Sequence, residues 1–321
     1  MRFTKFLLVT AIILVTGVCA LTNPILFPGG SKPAQPIDVN KDRLYNDVKF
    51  LVSTPQPRNN YNIASLNIAA EYILAEFKKT NGRVEEQKYK ADGKEYRNII
   101  CSFGPEDGER IIVGAHYDVC DEQAGADDNA SGVTGILEIS RLLSEQKDIR
   151  TRIDLVAYTL EEPPHFRKET MGSAVHAKYL HDNNIPVKAM ISVEMIGYFS
   201  DEPKSQEYPL GILKLFYPTK ANYIAVVGKI GQGRIIRKMK KHMRSGSEID
   251  VRSINAPAAI PGIDFSDHLN YWKYGYDALM ITDTSFYRNK NYHEKGDTIE
   301  TLDFTRMAEV VKGIYNAINN L

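Results

Sequence analysis

The chain has 321 residues, 43% hydrophobic and 25% charged, with 40 basic and 40 acidic side chains. This is the composition of a soluble globular protein, long enough for one large domain or two small ones, and it speaks against a disordered chain or a repeat array. The balanced charge offers no basic surface of the kind that nucleic acid or an anionic membrane would require.

At the N-terminus, Arg2 and Lys5 precede a 13-residue apolar run, FLLVTAIILVTGV, from Phe6 to Val18, and Val18-Cys19-Ala20 closes it. A basic start, a short apolar core and a small-residue exit describe a secretory signal peptide over residues 1–20. The run is shorter than the roughly 20 residues of a comfortable membrane span, so no span is expected. The protein is then exported, periplasmic or secreted, with a lipid anchor at Cys19 as a lesser alternative because Val18 fits that pattern poorly. Without residues 1–20 the chain carries 38 basic and 40 acidic residues, a net charge of −2.

Residues 21–37, rich in Pro and Gly, read as a flexible leader. Helical periodicity follows over Val39–Val52 and Ile63–Lys79. Strands are expected at RVEEQKY (Arg83), YRNIICSF (Tyr96), RIIVGAHYD (Arg110), IDLVAYTL (Ile153), AMISVEMI (Ala189), YIAVVGK (Tyr223) and DALMIT (Asp277). Helices are expected near 132–146, 172–181, 233–244 and 301–319. In the basic helix RIIRKMKKHMR, Ile235, Ile236, Met239 and Met243 fall at core spacing, so its charges form a solvated face. Apolar strands alternating with amphipathic helices define a single α/β domain over 38–321. Its sheet is central, mostly parallel and mixed, with helices on both faces.

YRNIICSF and RIIVGAHYD flank the turn GPEDGE and read as a hairpin. In that pairing Cys101 lies opposite about residue 112, which leaves Cys120 roughly 26 Å away at about 3.3 Å per residue. A disulfide needs alpha carbons within about 7 Å, so both cysteines are expected to be free.

In parallel sheets, ligands gather at the carboxyl ends of the strands. Those strand exits carry unusual polar residues. GAHYDV holds His116 and Asp118, which share one face of a strand because residues two apart point the same way. That is an arrangement for orienting a metal-ligating imidazole, or a surface pair on a loop. GADDNASG holds Asp127 and Asp128 where a helix opens, and taken alone it is an ordinary cap. TLEEPPHF places Glu161 and Glu162 before two prolines, and an exposed turn is the simple account. In ISVEMIGY, Glu194 interrupts an apolar strand, where a carboxylate is costly unless paired or bound to metal. NYHEKGDT adds Tyr292, His293 and Asp297. His165, His176, His181 and His242 have no such company and read as structural. Together His116, Asp128, Glu162, Glu194 and His293 supply two imidazoles and three carboxylates, about what two zinc ions sharing a bridging carboxylate require, with Glu161 left over as a base.

GAHYD, ADDNASG, LEE, an acidic residue before Met, and YH followed by DT form a combination that resembles the di-zinc aminopeptidase family. That family includes secreted bacterial leucyl aminopeptidases and is related to glutamate carboxypeptidase II and glutaminyl cyclase. The match runs in order from about Asn40 to Leu321. The resemblance implies a co-catalytic zinc peptidase that binds two Zn2+ per chain and removes N-terminal residues from peptides with a free N-terminus. It implies that His116 and Glu194 bind one zinc, Glu162 and His293 the other, and that Asp128 bridges them. It further implies that Asp118 orients His116, Glu161 is the general base and Tyr292 helps to stabilise the oxyanion. Family members usually carry Asp where this chain has Glu194, which affects its coordination mode. Asp267-His268, in FSDHLNYW, matches a family segment near the substrate pocket, although Ser266 or Asp267 would serve equally as a helix cap. The rival on the same scaffold is a single-zinc glutaminyl cyclase acting on N-terminal Gln. A receptor-like descendant would have lost ligands. The related carboxypeptidases and deacylases insert a lid domain, for which the 98 residues between Glu194 and His293 leave little room.

Overall fold

The computed structural model describes residues 2–22 and 36–321. Residues 23–35, most of the expected leader, lie outside the described residues. The helices are α1 (Arg2–Thr22), α2 (Lys41–Leu51), α3 (Ile63–Lys78), α4 (Gly132–Ser144), α5 (Gly172–Asp182), α6 (Gly233–Gly246), α7 (His268–Trp272) and α8 (Phe304–Ile318). The strands are β1 (Arg83–Ala91), β2 (Lys94–Phe103), β3 (Arg110–His116), β4 (Arg152–Tyr158), β5 (Val187–Glu194), β6 (Tyr223–Lys229), β7 (Asp250–Ala256) and β8 (Ala278–Thr282).

Eight strands form one sheet in the order β1-β2-β4-β3-β5-β8-β6-β7. Its centre, β4-β3-β5-β8, is parallel throughout. Successive residues of β3 feed opposite cores, as the period of two requires. Ile111, Val113 and Ala115 face a large cluster built with α2, α3, α4, α6 and α8, while Ile112 faces a smaller one with α5 and α7. Both faces of the central strands are therefore dry, which is why they read as near-continuous apolar runs. On α6 the expected Ile235, Ile236, Met239 and Met243 are buried, joined by the stem of Lys240.

One expectation needs correction. β2 and β3 are not a hairpin: β4 lies between them, antiparallel to β2 with Phe103 opposite Ile153 and parallel to β3 with Arg110 opposite Arg152. The hairpin is β1-β2, closed at Asp92-Gly93, both with positive φ. The segment around Gly104 and Gly108 has turn chemistry but steps across one strand position, leaving β3 a parallel neighbour on each side. Cys101 and Cys120 are nonetheless free and buried. In α1, Thr4–Thr22, 19 residues, is long and apolar enough to cross a membrane by length and composition. A signal sequence at the N-terminus passes the same test, so the helix fits the expected signal peptide and leaves a span open. The edge strand β7 was not anticipated, because Asp250, Arg252 and Asn255 break its apolar pattern.

Candidate metal centre

β3, β4, β5 and β8 all end at the same edge of the sheet, and the polar residues of the sequence meet there. His116 and Glu194 are the last residues of β3 and β5, Glu161 and Glu162 follow β4, and His293 lies in the loop after β8. Asp128 belongs to the turn Ala126–Ser131 that opens α4. Leu160, Met195 and His293 have positive φ, so the chain turns sharply where these side chains leave the sheet.

Asp128 lies between the two imidazoles. Its Oδ1 is 3.3 Å from His116 Nε2 and its Oδ2 is 3.2 Å from His293 Nε2. Glu194 Oε2 is 3.3 Å from His116 Nε2, and Glu162 Oε2 is 3.3 Å from His293 Nε2. His116, Asp128 and Glu194 can present one donor atom each within 4.8 Å of one another, as can His116, Glu161 and Glu162. The structure thus brings all five expected ligands and Glu161 together. Tyr292 stacks on His293 with ring centroids 3.8 Å apart and lines the same cavity as the carboxylates.

Charge and burial are in tension here. Burial, reinforced by Glu162 and Glu194, drives the Glu161 carboxyl well above its ordinary range. Burial and Asp128 push Glu162 up to about 7. Burial works against the charge of Asp128, but hydrogen bonds from His116 and His293 hold it below the usual carboxylate range. Burial likewise opposes charge on the imidazoles, and their carboxylate neighbours outweigh it and raise both. Glu162 Oε1 is buried without a hydrogen-bond partner. Two imidazoles and three carboxylates, with an orphaned Glu162 oxygen among them, fit zinc well.

Neighbouring residues hold the cluster. Asp118 accepts from the Glu161 amide at 3.1 Å and the Glu162 amide at 3.0 Å, one on each carboxylate oxygen. The nearer acceptor of His116 Nδ1 is the Asp118 carbonyl oxygen at 3.2 Å, with the carboxylate at 3.7 Å. Asp297 grips the Asp127 and Asp128 amides in the same two-oxygen fashion, at 2.9 and 3.0 Å. Asn129 accepts from Met195 and donates to Val193, tying the Asp128 turn to the exit of β5. Ser266 donates to Glu194 Oε2 at 2.7 Å, and neither it nor Asp267 caps α7 with its side chain. His268 turns away, its Nε2 on the Ile263 carbonyl at 2.8 Å and its ring edge-on to Trp272.

Sequence reasoning missed Arg58, which is buried in the connection between α2 and α3. Its guanidinium donates to the carbonyls of Leu51, Tyr117, Ala124 and Gly125 at 2.5 to 3.2 Å. The available signal was an arginine between Pro57 and Asn59 in an otherwise uncharged turn.

Beside the cluster opens a cavity of about 240 Å³. Its lining includes Asp128, Glu161, Glu162, Glu194 and His293 together with Tyr208, Tyr217, Tyr223, Phe265, Phe286 and Met280.

A mixed sheet whose parallel centre carries imidazoles and carboxylates at its carboxyl edge defines a metal-dependent hydrolase of the α/β exopeptidase type. The model of peptidase family M28 matches residues 98–318, and the chain belongs to that family. Uncharacterized protein YfbL of Escherichia coli (strain K12) is 46% identical over 296 residues, 90% of either chain. Leucine aminopeptidase 1 of Ajellomyces capsulatus (strain NAm1 / WU24) is 26% identical over 260 residues, 75% of this chain and 60% of the fungal one. Among solved structures, a leucine aminopeptidase precursor from Bacteroides thetaiotaomicron VPI-5482 gives a TM-score of 0.67 at 20% identity, covering 89% of this chain and 99% of that one. Porphyromonas gingivalis glutaminyl cyclase gives 0.66 at 21% identity, covering 87% and 97%. At such identities the likeness to the solved structures is one of fold, and peptidases and a cyclase share it.

Proposed function

We propose that the protein is an exported di-zinc aminopeptidase that removes N-terminal residues from peptides. His116 and Glu194 would hold one zinc, Glu162 and His293 the other, and Asp128 both. The observation that carries this reading is the position of Asp128, whose two oxygens each face a different imidazole, at 3.3 and 3.2 Å. When bound, the metal pair supplies Lewis acidity and lowers the pKa of water to near neutrality.

The chain's own residues do the rest. Glu161, unused as a ligand and held by its amide on Asp118, takes the proton of the attacking water and returns it to the leaving amine. Tyr292, with its phenol kept protonated by burial and the surrounding carboxylates, donates to the developing oxyanion. The cavity wall of Tyr208, Tyr217, Tyr223 and Phe265 excludes water and suits a large apolar N-terminal side chain.

Glutaminyl cyclase chemistry is the alternative on this fold, and the two-sided placement of Asp128 favours two metals over one. The test is metal content together with paired assays. Two zincs per chain and chelator-sensitive release of aminoacyl anilides, fastest with Leu or Phe, are expected. One zinc with ammonia release from a Gln-initiated peptide would replace this reading with the cyclase. Activity indifferent to chelator would remove the zinc mechanism.

A further inference from the structure

The proposed chemistry leaves one functional group at the centre unassigned. Cys120, in the segment after β3, is 7% exposed. Its sulfur, a carboxylate oxygen of Glu162 and a ring nitrogen of His293 lie within 4.8 Å of one another. The cysteine is not isolated in a core. Glu162 Oε1 is buried and lacks a hydrogen-bond partner, so one of the two residues grouped with the thiol carries an unpartnered oxygen. Cys101 offers the contrast: it is fully buried in the large apolar cluster, near the Thr80 hydroxyl at 3.8 Å, and far in composition from any ligand set.

The segment bearing Cys120 is anchored. Val119 donates its amide to the Arg58 carbonyl at 3.2 Å, and the Asn59 side chain donates to the Asp121 carbonyl at 2.5 Å. Fixing the backbone on both sides of Cys120 keeps its side chain directed at Glu162 and His293. A thiol placed this way loses its proton outright on coordinating a divalent cation.

We propose that Cys120 is a ligand of the metal held by Glu162 and His293. This makes the two halves of the centre chemically unequal: His116 and Glu194 offer nitrogen and oxygen, while Glu162, His293 and Cys120 add sulfur. On loading, the S–H bond breaks, its proton leaves to solvent and a sulfur–metal bond forms, with no change of oxidation state. Thiolate shifts the preference of that half towards zinc, cadmium and cobalt over harder cations such as magnesium and manganese. The inference rests on the reading that Glu162 and His293 bind metal.

The test is absorption spectroscopy of the full chain, stripped of metal and titrated with Co2+. Wild type should develop a thiolate-to-cobalt charge-transfer band in the near ultraviolet, on top of the visible ligand-field bands. Cys120→Ser should keep the ligand-field bands and lose the charge-transfer band, and Cys101→Ser should retain both. Affinity for the sulfur-bearing half should fall at least by the roughly tenfold that loss of an outer-shell partner costs. Two bound cobalts in wild type without the charge-transfer band would overturn the Cys120 assignment and leave the di-metal reading standing. A band that survives in Cys120→Ser would overturn it as well. Failure of wild type to bind cobalt at all would overturn the di-metal reading and this inference with it.

Discussion

Glu161 and Glu162 are adjacent in sequence and both buried, yet the fold gives them different partners. Glu162 points an oxygen at His293, 3.3 Å away, while Glu161 faces the cavity and draws on its neighbours only electrostatically. Asp118 holds both amides, so the two side chains diverge from a fixed base. Glu161→Gln should therefore retain metal and lose at least about a hundredfold in kcat, the lower end of what a positioned base contributes. Glu162→Ala should lose metal from the His293 half. Metal analysis beside steady-state kinetics separates the two, and a Glu161→Gln enzyme with unchanged kcat would remove the base assignment. The side chains proposed as ligands were legible because strand exits, the period of two and a buried charge such as Glu194 are visible in one dimension. The holders were not. Asp118 and Asp297 act on backbone amides of distant segments, and those amides acquire a direction only once the strands lie side by side.

Among the elements, the connection from α2 to α3 shows the same limit on a larger scale. Its length and polarity suggest an ordinary loop, but Arg58 runs beneath the segments that carry His116 and Asp128 and satisfies four carbonyls. Gly125 allows this: its φ is +64°, and an added Cβ would lie 3.0 Å from Arg58 and 2.4 Å from the Asp128 carbonyl. The guanidinium is fully buried, and burial lowers its pKa to about 10 against the opposing pull of Asp297 and Asp128, so it remains charged at neutral pH. Arg58→Met keeps much of the apolar volume but orphans those carbonyls, each at roughly 1–3 kcal/mol. It should lower the melting temperature sharply and weaken metal binding, and Arg58→Lys, with no planar fork, should rescue little of either. Melting curves and zinc titrations of both variants check this. Unaltered zinc affinity in a folded Arg58→Met protein would show that the two loops do not need the tie. Strand pairing was legible where apolar runs were strong and failed where turn chemistry misled. Gly104 and Gly108 promise a hairpin, but the dry faces of β3 are better served by parallel neighbours β4 and β5. Partner choice of this kind depends on which surfaces remain to be covered, and no local window contains that information.

For the molecule as a whole, concentrating carboxylates at one end of the sheet couples folding to metal and to pH. Without metal, the folded protein compensates by holding protons. Burial raises Glu162, Asp267, Asp283 and Asp297 to about 7, from ordinary values near 4. Groups with raised folded pKa values bind more protons in the native than in the unfolded state between those limits, so their contribution to stability is lost as pH rises from about 4 to about 7. His116 and His293, also raised, have the same sign and extend the loss above neutrality. Asp128, held low, has the opposite sign, but it acts only below the ordinary carboxylate range and does not enter this window. Bound zinc replaces the protons as the countercharge, and its ligands must be deprotonated, so its stabilisation grows as pH rises. The gap in melting temperature between zinc-loaded and chelated protein should thus widen steadily from about pH 5 to about pH 8. With free zinc at about 100 times Kd for each of two sites, linkage gives roughly 2.7 kcal/mol per site, and at about 2 °C per kcal/mol for a domain of this size the gap should reach roughly 10 °C. Differential scanning fluorimetry at four pH values across the window measures it directly. A gap that stayed constant or narrowed with rising pH would mean that protons and zinc do not compete for this cluster.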